Sequence, residues 1–308
     1  MHCMFDDVLA IVRAMQKVDP HFHIWNLKEN YYPWLTDKVQ PRVIGEYAAI
    51  RKDYLIADFL ADTEGTGVCK GVHIQAEHDP GDPVRETRWL QSVADQPASR
   101  GFPHGIVAYA DLGAANAQEI LEAHCESRNI RGIRQLLMQH KVDPKAKDPR
   151  DSVLFKQNFK LLARLGLSFD IQLFHQDMGF GAQLIAQNPD VDFILGHSGL
   201  PMESSEAYLK EWRKGMKLLA ACPNVTVKIS GFGFFDRNWT VDSIRPIVLE
   251  ITDIFGAGRC MFASNFPVDG MSRSYAAYWS AFEAITASFS DAERDGLFRL
   301  NAEKVYRI

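Results

Sequence analysis

The feature that most constrains this chain is an alternation, repeated eight times, of short apolar runs with longer helix-like stretches. The runs are Val18–Trp25, Val68–Glu77, Gly105–Leu112, Ile130–Leu137, Ser168–Phe174, Asp192–Gly199, Asn224–Gly231 and Cys260–Pro267. Several are rich in Val, Ile, Leu and Phe without polar alternation, which is the pattern of strands buried on both faces and hence of a parallel sheet. Helical stretches lie between them, among them Glu86–Val93, Ala117–Glu126, Phe155–Leu165, Glu206–Ala221 and Ser243–Phe255. Eight such units in 308 residues predict an α/β fold of the single (β/α)8 TIM-barrel kind rather than a doubly wound sheet. No Gly/Ser-rich linker or internal repeat breaks the chain, so residues 1–308 read as one domain with a short amphipathic helical extension ahead of strand 1. The segment Ser290–Ile308 opens with a capping box, Ser290-x-x-Glu293, and is expected to close the barrel as a helix.

Charge narrows the partners. With 34 basic and 39 acidic residues the net charge is −5, and no block of like charge occurs, so neither nucleic acid nor membrane is expected and a small molecule is. Self-association into a homo-oligomer is compatible with this balance. The five cysteines, Cys3, Cys69, Cys125, Cys222 and Cys260, form no CxxC pair and read as reduced thiols. Asp6 and Asp7 stand where a signal peptide needs positive charge, and no apolar run of about 18 residues occurs, so the expected location is the cytoplasm.

In a barrel the chemistry belongs at the C-terminal ends of the strands. His21 and His23 end strand 1, and residues two apart on a strand point to one side, so both imidazoles can converge. His197 ends strand 6 and Ser264-Asn265 ends strand 8, which brings further polar groups to the same end. Arg134 ends strand 4, where a planar guanidinium would hold an acidic group or a developing oxyanion. Lys228 on strand 7 is a second candidate cation, its inward or outward direction left open by alternation. In strand 2, His73, Gln75 and Glu77 share one side, with His73 read as structural and Glu77 as a substrate contact. The long segment Asn26–Ala57, rich in Tyr, Trp and Pro, follows strand 1 and would sit above the barrel mouth.

Four segments carry a resemblance. Asp19-Pro20-His21-Phe22-His23-Ile24-Trp25, Gly196-His197-Ser198-Gly199-Leu200-Pro201, Val227-Lys228-Ile229-Ser230-Gly231 and Met261-Phe262-Ala263-Ser264-Asn265-Phe266-Pro267-Val268 resemble the signature segments of the amidohydrolase-2 branch of the amidohydrolase superfamily. The likeness continues into Asn301-Ala302-Glu303-Lys304-Val305-Tyr306 and covers nearly the whole chain. The branch includes sugar-lactone and dicarboxylate-lactone hydrolases. The resemblance implies that His21 and His23 are the strand-1 pair, that His197 binds metal or polarises the substrate carbonyl, and that Arg134 belongs to an arginine motif. Trp25, within the first signature, is taken as a substrate contact.

Asn265 departs from that pattern. The family usually places Asp there, to ligate metal and accept a proton from water, and an amide cannot act as a base near neutral pH. The substitutes considered are His175, preferred because imidazole titrates near neutrality, then Asp177, Asp269 and Glu77. One divalent ion, zinc before others, held by His21, His23 and His197, is an optional cofactor, because lactonases resembling this branch can work without metal. The expected activity is hydrolysis of a lactone or related cyclic ester of a small carboxylated or polyhydroxylated acid. The alternatives are a metal-dependent decarboxylase of the same superfamily and a catalytically silent barrel that binds a small acidic ligand.

Overall fold

The computed structural model describes residues 15–40, 42–138, 141 and 148–308. The expected N-terminal helix lies outside the described residues. Eight parallel strands run β1 (Lys17–Phe22), β2 (Val68–Ile74), β3 (Gly105–Ala108), β4 (Ile130–Arg134), β5 (Ser168–Ile171), β6 (Phe193–Leu195), β7 (Val225–Ile229) and β8 (Cys260–Phe262), paired in sequence order. Past their ends β8 rejoins β1: Phe22 bridges Phe266, Asn265 N–H donates to the His21 carbonyl at 2.8 Å, and His23 N–H donates to the Phe266 carbonyl at 2.7 Å. The sheet is thereby nearly closed into a (β/α)8 barrel.

Each strand is followed by a main helix: α1 (Ile56–Thr63), α2 (Pro83–Ala94), α3 (Ala117–Cys125), α4 (Val153–Leu165), α5 (Met178–Ala186), α6 (Glu206–Ala220), α7 (Val241–Phe255) and α8 (Tyr275–Ile285). Each lays an apolar stripe on the outside of the sheet, as an amphipathic helix must. Phe159 of α4 stacks on Phe193 of β6 and Phe282 of α8 on Phe262 of β8, at 5.6 and 4.3 Å between centroids. Burying each such ring is worth about 1.5–3 kcal/mol. The capping box forms, with Ser290 N–H on Glu293 Oε2 at 2.9 Å and Glu293 N–H on Ser290 Oγ at 3.3 Å. The expected C-terminal helix forms as three contiguous segments, Asp291–Asp295, the π-helical turn Gly296–Leu300 and Asn301–Tyr306. The last of these sets Ala302 and Tyr306 among Val18, Val72, Val107, Ile194 and Met261, filling the barrel interior.

Every strand begins within one residue of its expected start, yet each stops two to five residues early. For β2, β6 and β8 the reason is conformational. Glu77, His197 and Asn265, beyond the ends of β2, β6 and β8, have φ of +57°, +49° and +55°, left-handed values that no ladder accommodates. Residues that continue the apolar pattern therefore leave the sheet and build the mouth.

Beneath the mouth, His124 ties α3 to the wall, its Nε2 facing the Tyr109 carbonyl at 2.9 Å and its Nδ1 facing Thr87 Oγ1 at 2.8 Å. Burial pushes this imidazole from its ordinary value of 6.5 to about 4. Between those values the unfolded chain binds a proton that the folded chain does not, so the stabilisation is complete above the upper value and is lost as pH falls toward the lower. His124→Asn should therefore flatten the acid limb of stability by up to about 1.4 kcal/mol per pH unit. Urea unfolding of both proteins between mildly acidic and neutral pH measures this, and parallel slopes would refute it.

Candidate active site

Alternation at the end of β1 sends His21 and His23 to one side, while a register irregularity between Asp19 and Phe22 leaves Asp19 turned toward Tyr275 of α8. The His21 ring lies 5.0 Å from that of His23 and 4.6 Å from that of His197, centroid to centroid. His23 Nδ1 meets the Ile74 carbonyl at 2.7 Å, which makes it the protonated nitrogen and leaves the Nε2 lone pair free. Neither ring nitrogen of His21 has a hydrogen-bond partner, although both are buried. Burial is the first cause that holds all three imidazoles well below their ordinary value, and the nearby cations Arg134 and Lys228 add to it. They are neutral at neutral pH.

His197 is presented by a turn in which four consecutive residues, His197 to Leu200, have φ between +49° and +65°. Left-handed backbone costs about 1–2 kcal/mol at each non-glycine position. Specific bonds hold it: Trp212 Nε1 donates to the Ser198 carbonyl at 3.1 Å, and Ser198 Oγ donates to the Ser230 carbonyl at 3.0 Å. Ser230 Oγ faces His197 Nδ1 at 3.2 Å and so orients the ring. Beside it the chain must be glycine, because a Cβ on Gly231 would stand 2.8 Å from the His197 Cβ.

Asn265 Oδ1 lies 3.3 Å from His23 Nε2, and its Nδ2 donates to Asp269 Oδ1 at 3.2 Å. Asp269 Oδ2 accepts Gly231 N–H at 3.1 Å. The carboxyl thus links the ends of β7 and β8, and burial raises it from 3.8 to about 8. Of the suggested substitute bases, Asp269 is the one in contact with Asn265. His175 is half-buried against Tyr208 of α6, with centroids 4.5 Å apart, and feels Glu211, Lys141 and Glu203 rather than the imidazole cluster. Asp177 is spent on ion pairs with Lys141 and Arg150.

The two candidate cations differ. Lys228 points inward and is fully buried, paired with Asp170 at 2.6 Å under the Tyr306 hydroxyl, which donates to the same carboxylate. Its charge is consumed inside the barrel, so a substrate contact does not follow from its place. Arg134 is also buried, but it donates to the Gln75 carbonyl at 2.6 Å and makes no ion pair among the described residues. Glu77 pairs instead with Arg42, at 2.8 Å. Trp25, expected at the substrate, is completely buried behind His23 and donates its Nε1–H to the Lys52 carbonyl, so it has no face to offer. His73 is buried in the wall, facing the Ile24 carbonyl at 3.2 Å.

Two residues that hold the site went unassigned from sequence. Ser230 orients His197, and its signal was a hydroxyl directly after an inward-facing strand. Asp19 accepts from Ser264 Oγ at 2.5 Å, Ser264 N–H at 3.0 Å, Tyr275 OH at 2.9 Å and His21 N–H at 3.2 Å. No spacing signalled it, because the irregularity between Asp19 and Phe22 breaks the alternation there.

Neutral imidazoles with free lone pairs are good donors for a zinc-like ion, and the unpartnered His21 nitrogens and the facing lone pairs of His23 and Asn265 fit a cation in kind. Among the described residues, however, no group of three His, Cys, Asp or Glu side chains is already spaced for ligation. No described helix is long and apolar enough to cross a membrane.

A barrel with polar groups gathered at the C-terminal ends of β1, β4, β6 and β8 is an enzyme scaffold of the amidohydrolase type. The Amidohydrolase family model matches residues 18–308, and the chain belongs to that family. It is 48% identical over 295 residues to the uncharacterized protein y4mH of Sinorhizobium fredii, covering 94% of this chain and 98% of that one. It is 26% identical over 305 residues to an L-fucono-1,5-lactonase of Burkholderia multivorans, covering 95% of this chain and 96% of the relative. Among solved structures, an amidohydrolase from Burkholderia multivorans with bound zinc superposes with a TM-score of 0.78 at 24% identity, over 95% of this chain and 99% of that one.

Removing the Asp19 carboxylate strands the buried donors it serves. Asp19→Ala should cost at least about 3 kcal/mol, since each buried unsatisfied donor costs about 1–3. Urea denaturation reads this directly, and a loss under about 1 kcal/mol would mean that the β1–β8 seam does not depend on it.

Proposed function

We propose that this protein hydrolyses a lactone, or a related cyclic ester, of a small carboxylated or polyhydroxylated acid. The observation that carries the reading is Arg134: a buried guanidinium without an ion pair, next to three neutral imidazoles, at the catalytic end of the barrel. Glu77, Asp170 and Glu86 act on its charge without pairing with it, and a buried charge that lacks a direct partner is costly unless a ligand meets it. A lactone develops negative charge on its carbonyl oxygen as water attacks and ends as a carboxylate, and Arg134 stands ready for both.

Without a metal, the neutral His21, which has no other hydrogen-bond partner, accepts the proton of the attacking water and returns it to the ring oxygen as the ester bond breaks. His23 is fixed by the Ile74 carbonyl and His197 by Ser230, so their free nitrogens address the substrate from two sides. Asn265 cannot take a proton and instead presents its amide oxygen, with Asp269 keeping it turned that way. One divalent ion, zinc first, would be held by His21, His23 and His197, and when bound it supplies carbonyl polarisation and a water of lowered pKa. The L-fucono-1,5-lactonase relatives support the reaction class, and the zinc bound by the Burkholderia neighbour supports the choice of ion. Free thiols at Cys69, Cys125, Cys222 and Cys260 agree with a cytoplasmic setting.

Proton release measured over a panel of aldonolactones and dicarboxylate lactones, with metal content determined on the same sample, tests the reading. His21→Asn should lower kcat by about 100-fold or more, and Arg134→Gln should lower kcat/KM by a comparable factor. Carbon dioxide release in place of acid from a lactone would identify a decarboxylase. Ligand binding without turnover, with turnover gained in Asn265→Asp, would identify a silent barrel.

A further inference from the structure

The inner face of β5 carries one polar side chain that neither the fold nor the mechanism above uses. Phe169, Ile171 and Leu173 all pack in the outer core, and a Cβ on Gly181 of α5 would stand 2.5 Å from Leu173 and 3.9 Å from Ile171. Asp170 faces the barrel interior, where it holds Lys228 and Tyr306. The alternation continues past the last ladder residue, because Gly196 N–H still donates to the Ile171 carbonyl at 2.9 Å. Gln172 therefore points inward, two residues beyond Asp170, at the catalytic end of the barrel.

Gln172 is only 8% exposed, and among the described residues its amide has no hydrogen-bond partner. The other glutamines at the mouth are employed by the fold. Gln135 accepts Leu112 N–H at 3.1 Å and donates to Asp111 at 2.9 Å, and Gln75 Oε1 accepts Glu77 N–H at 2.6 Å. A buried amide without a partner costs free energy that a ligand would recover. Its nitrogen and oxygen are not sealed in, in contrast to both ring nitrogens of His21, so a small molecule in the mouth can reach them.

Its neighbours indicate which part of that molecule it meets. β5 lies between the strands of Arg134 and His197, and the charge of Arg134 acts on His197 and His23 alike, which places the guanidinium at the imidazole cluster. Arg134 bonds the Gln75 carbonyl through Nη2, which leaves Nη1 without a partner among the described residues. His197 Nδ1 faces Ser230, which leaves Nε2 open in the same way. Three consecutive strands thus present unpartnered polar groups to one place. Adjacent strands are about 4.8 Å apart, so donors from two of them can meet one oxygen from either side at hydrogen-bond distance. The other inward cation, Lys228, is held by Asp170 and adds no donor here.

We propose that Gln172 is a catalytic residue whose Nε2–H joins Arg134 Nη1 in an oxyanion hole, both donating to the carbonyl oxygen of the substrate. As water attacks, the carbonyl π pair moves onto that oxygen. It returns to re-form the carbonyl as the ring C–O bond breaks and the leaving oxygen takes the proton from His21. Between those events the two donors hold the negative charge, and a donor placed in advance costs no reorganisation at that moment. This rests on the hydrolase reading and adds a residue to it.

The test measures kcat and KM of the wild type, Gln172→Leu and Gln172→Glu on whichever lactone of the panel is hydrolysed fastest, with urea unfolding of each protein. Gln172→Leu should lower kcat by about 100-fold with KM little changed, the usual worth of one oxyanion donor. Its urea midpoint should not fall, because no hydrogen bond of the fold is lost. Gln172→Glu keeps the shape and the acceptor but has no N–H to give, and its kcat should fall as far. Undiminished kcat in either variant would overturn the assignment and leave the hydrolase reading intact. A loss of kcat matched by a lowered urea midpoint in Gln172→Leu would also overturn it, as a structural effect. If no lactone is turned over, the hydrolase reading has failed, and the donor is judged by calorimetry with a six-membered cyclic phosphonate, whose tetrahedral P–O⁻ stands in for the oxyanion. Binding that Gln172→Leu weakens about tenfold or more supports the donor, and equal binding or none overturns it.

Discussion

A barrel exists only if its last strand finds its first, and here that seam is built around one buried carboxylate. Asp19 collects two donors from Ser264, one from Tyr275 and one from its own strand at His21. Burial pushes its pKa up to about 6 while these hydrogen bonds pull it down, so at neutral pH the group is largely ionised and surrounded by donors. Because it fixes β1 against the β8 end, it also fixes the distance between His21 and Asn265, whose backbones are hydrogen-bonded to each other. Closure of the sheet and assembly of the site are one event.

Much of this was legible in the sequence. Uninterrupted Val/Ile/Leu/Phe runs mark strands covered on both sides, and all eight starts followed from them. The convergence of His21, His23 and His197 followed from strand periodicity and from the rule that barrels work at their C-terminal ends. What the pattern could not show was where each strand stops. Hydrophobicity continues past the last ladder bond, but at Glu77, His197 and Asn265 the backbone turns left-handed, and that is set by tertiary bonds such as Trp212 to Ser198. Side-chain partners were equally hidden: nothing in one dimension says that Lys228 faces Asp170, or that Arg42, far from any signature segment, claims Glu77.

The two inward cations show how context divides identical charge. Lys228 is cancelled by Asp170 and capped by Tyr306, and with those partners it behaves as core, its pKa lowered to about 8 chiefly by burial. Arg134 is also buried but is hydrogen-bonded to a backbone carbonyl and, among the described residues, paired with no carboxylate, although Glu77, Asp170 and Glu86 act on its charge. Both depress the neighbouring histidines, and so keep the imidazoles in the lone-pair form that either a proton or a metal requires.

The Tyr306 plug bears on how the protein is made. Tyr306 lies behind all eight strands in the sequence, yet its hydroxyl reaches back to Asp170 on β5, 136 positions earlier. Until that residue has left the ribosome, the Lys228–Asp170 pair sits under an open floor that water can enter. Long-range closure of this kind makes folding slow, because loop entropy is spent before contacts return it. A partly synthesised chain that lacks Tyr306 can hold most of the sheet but not a sealed barrel, which leaves its apolar interior open to chaperones and to aggregation.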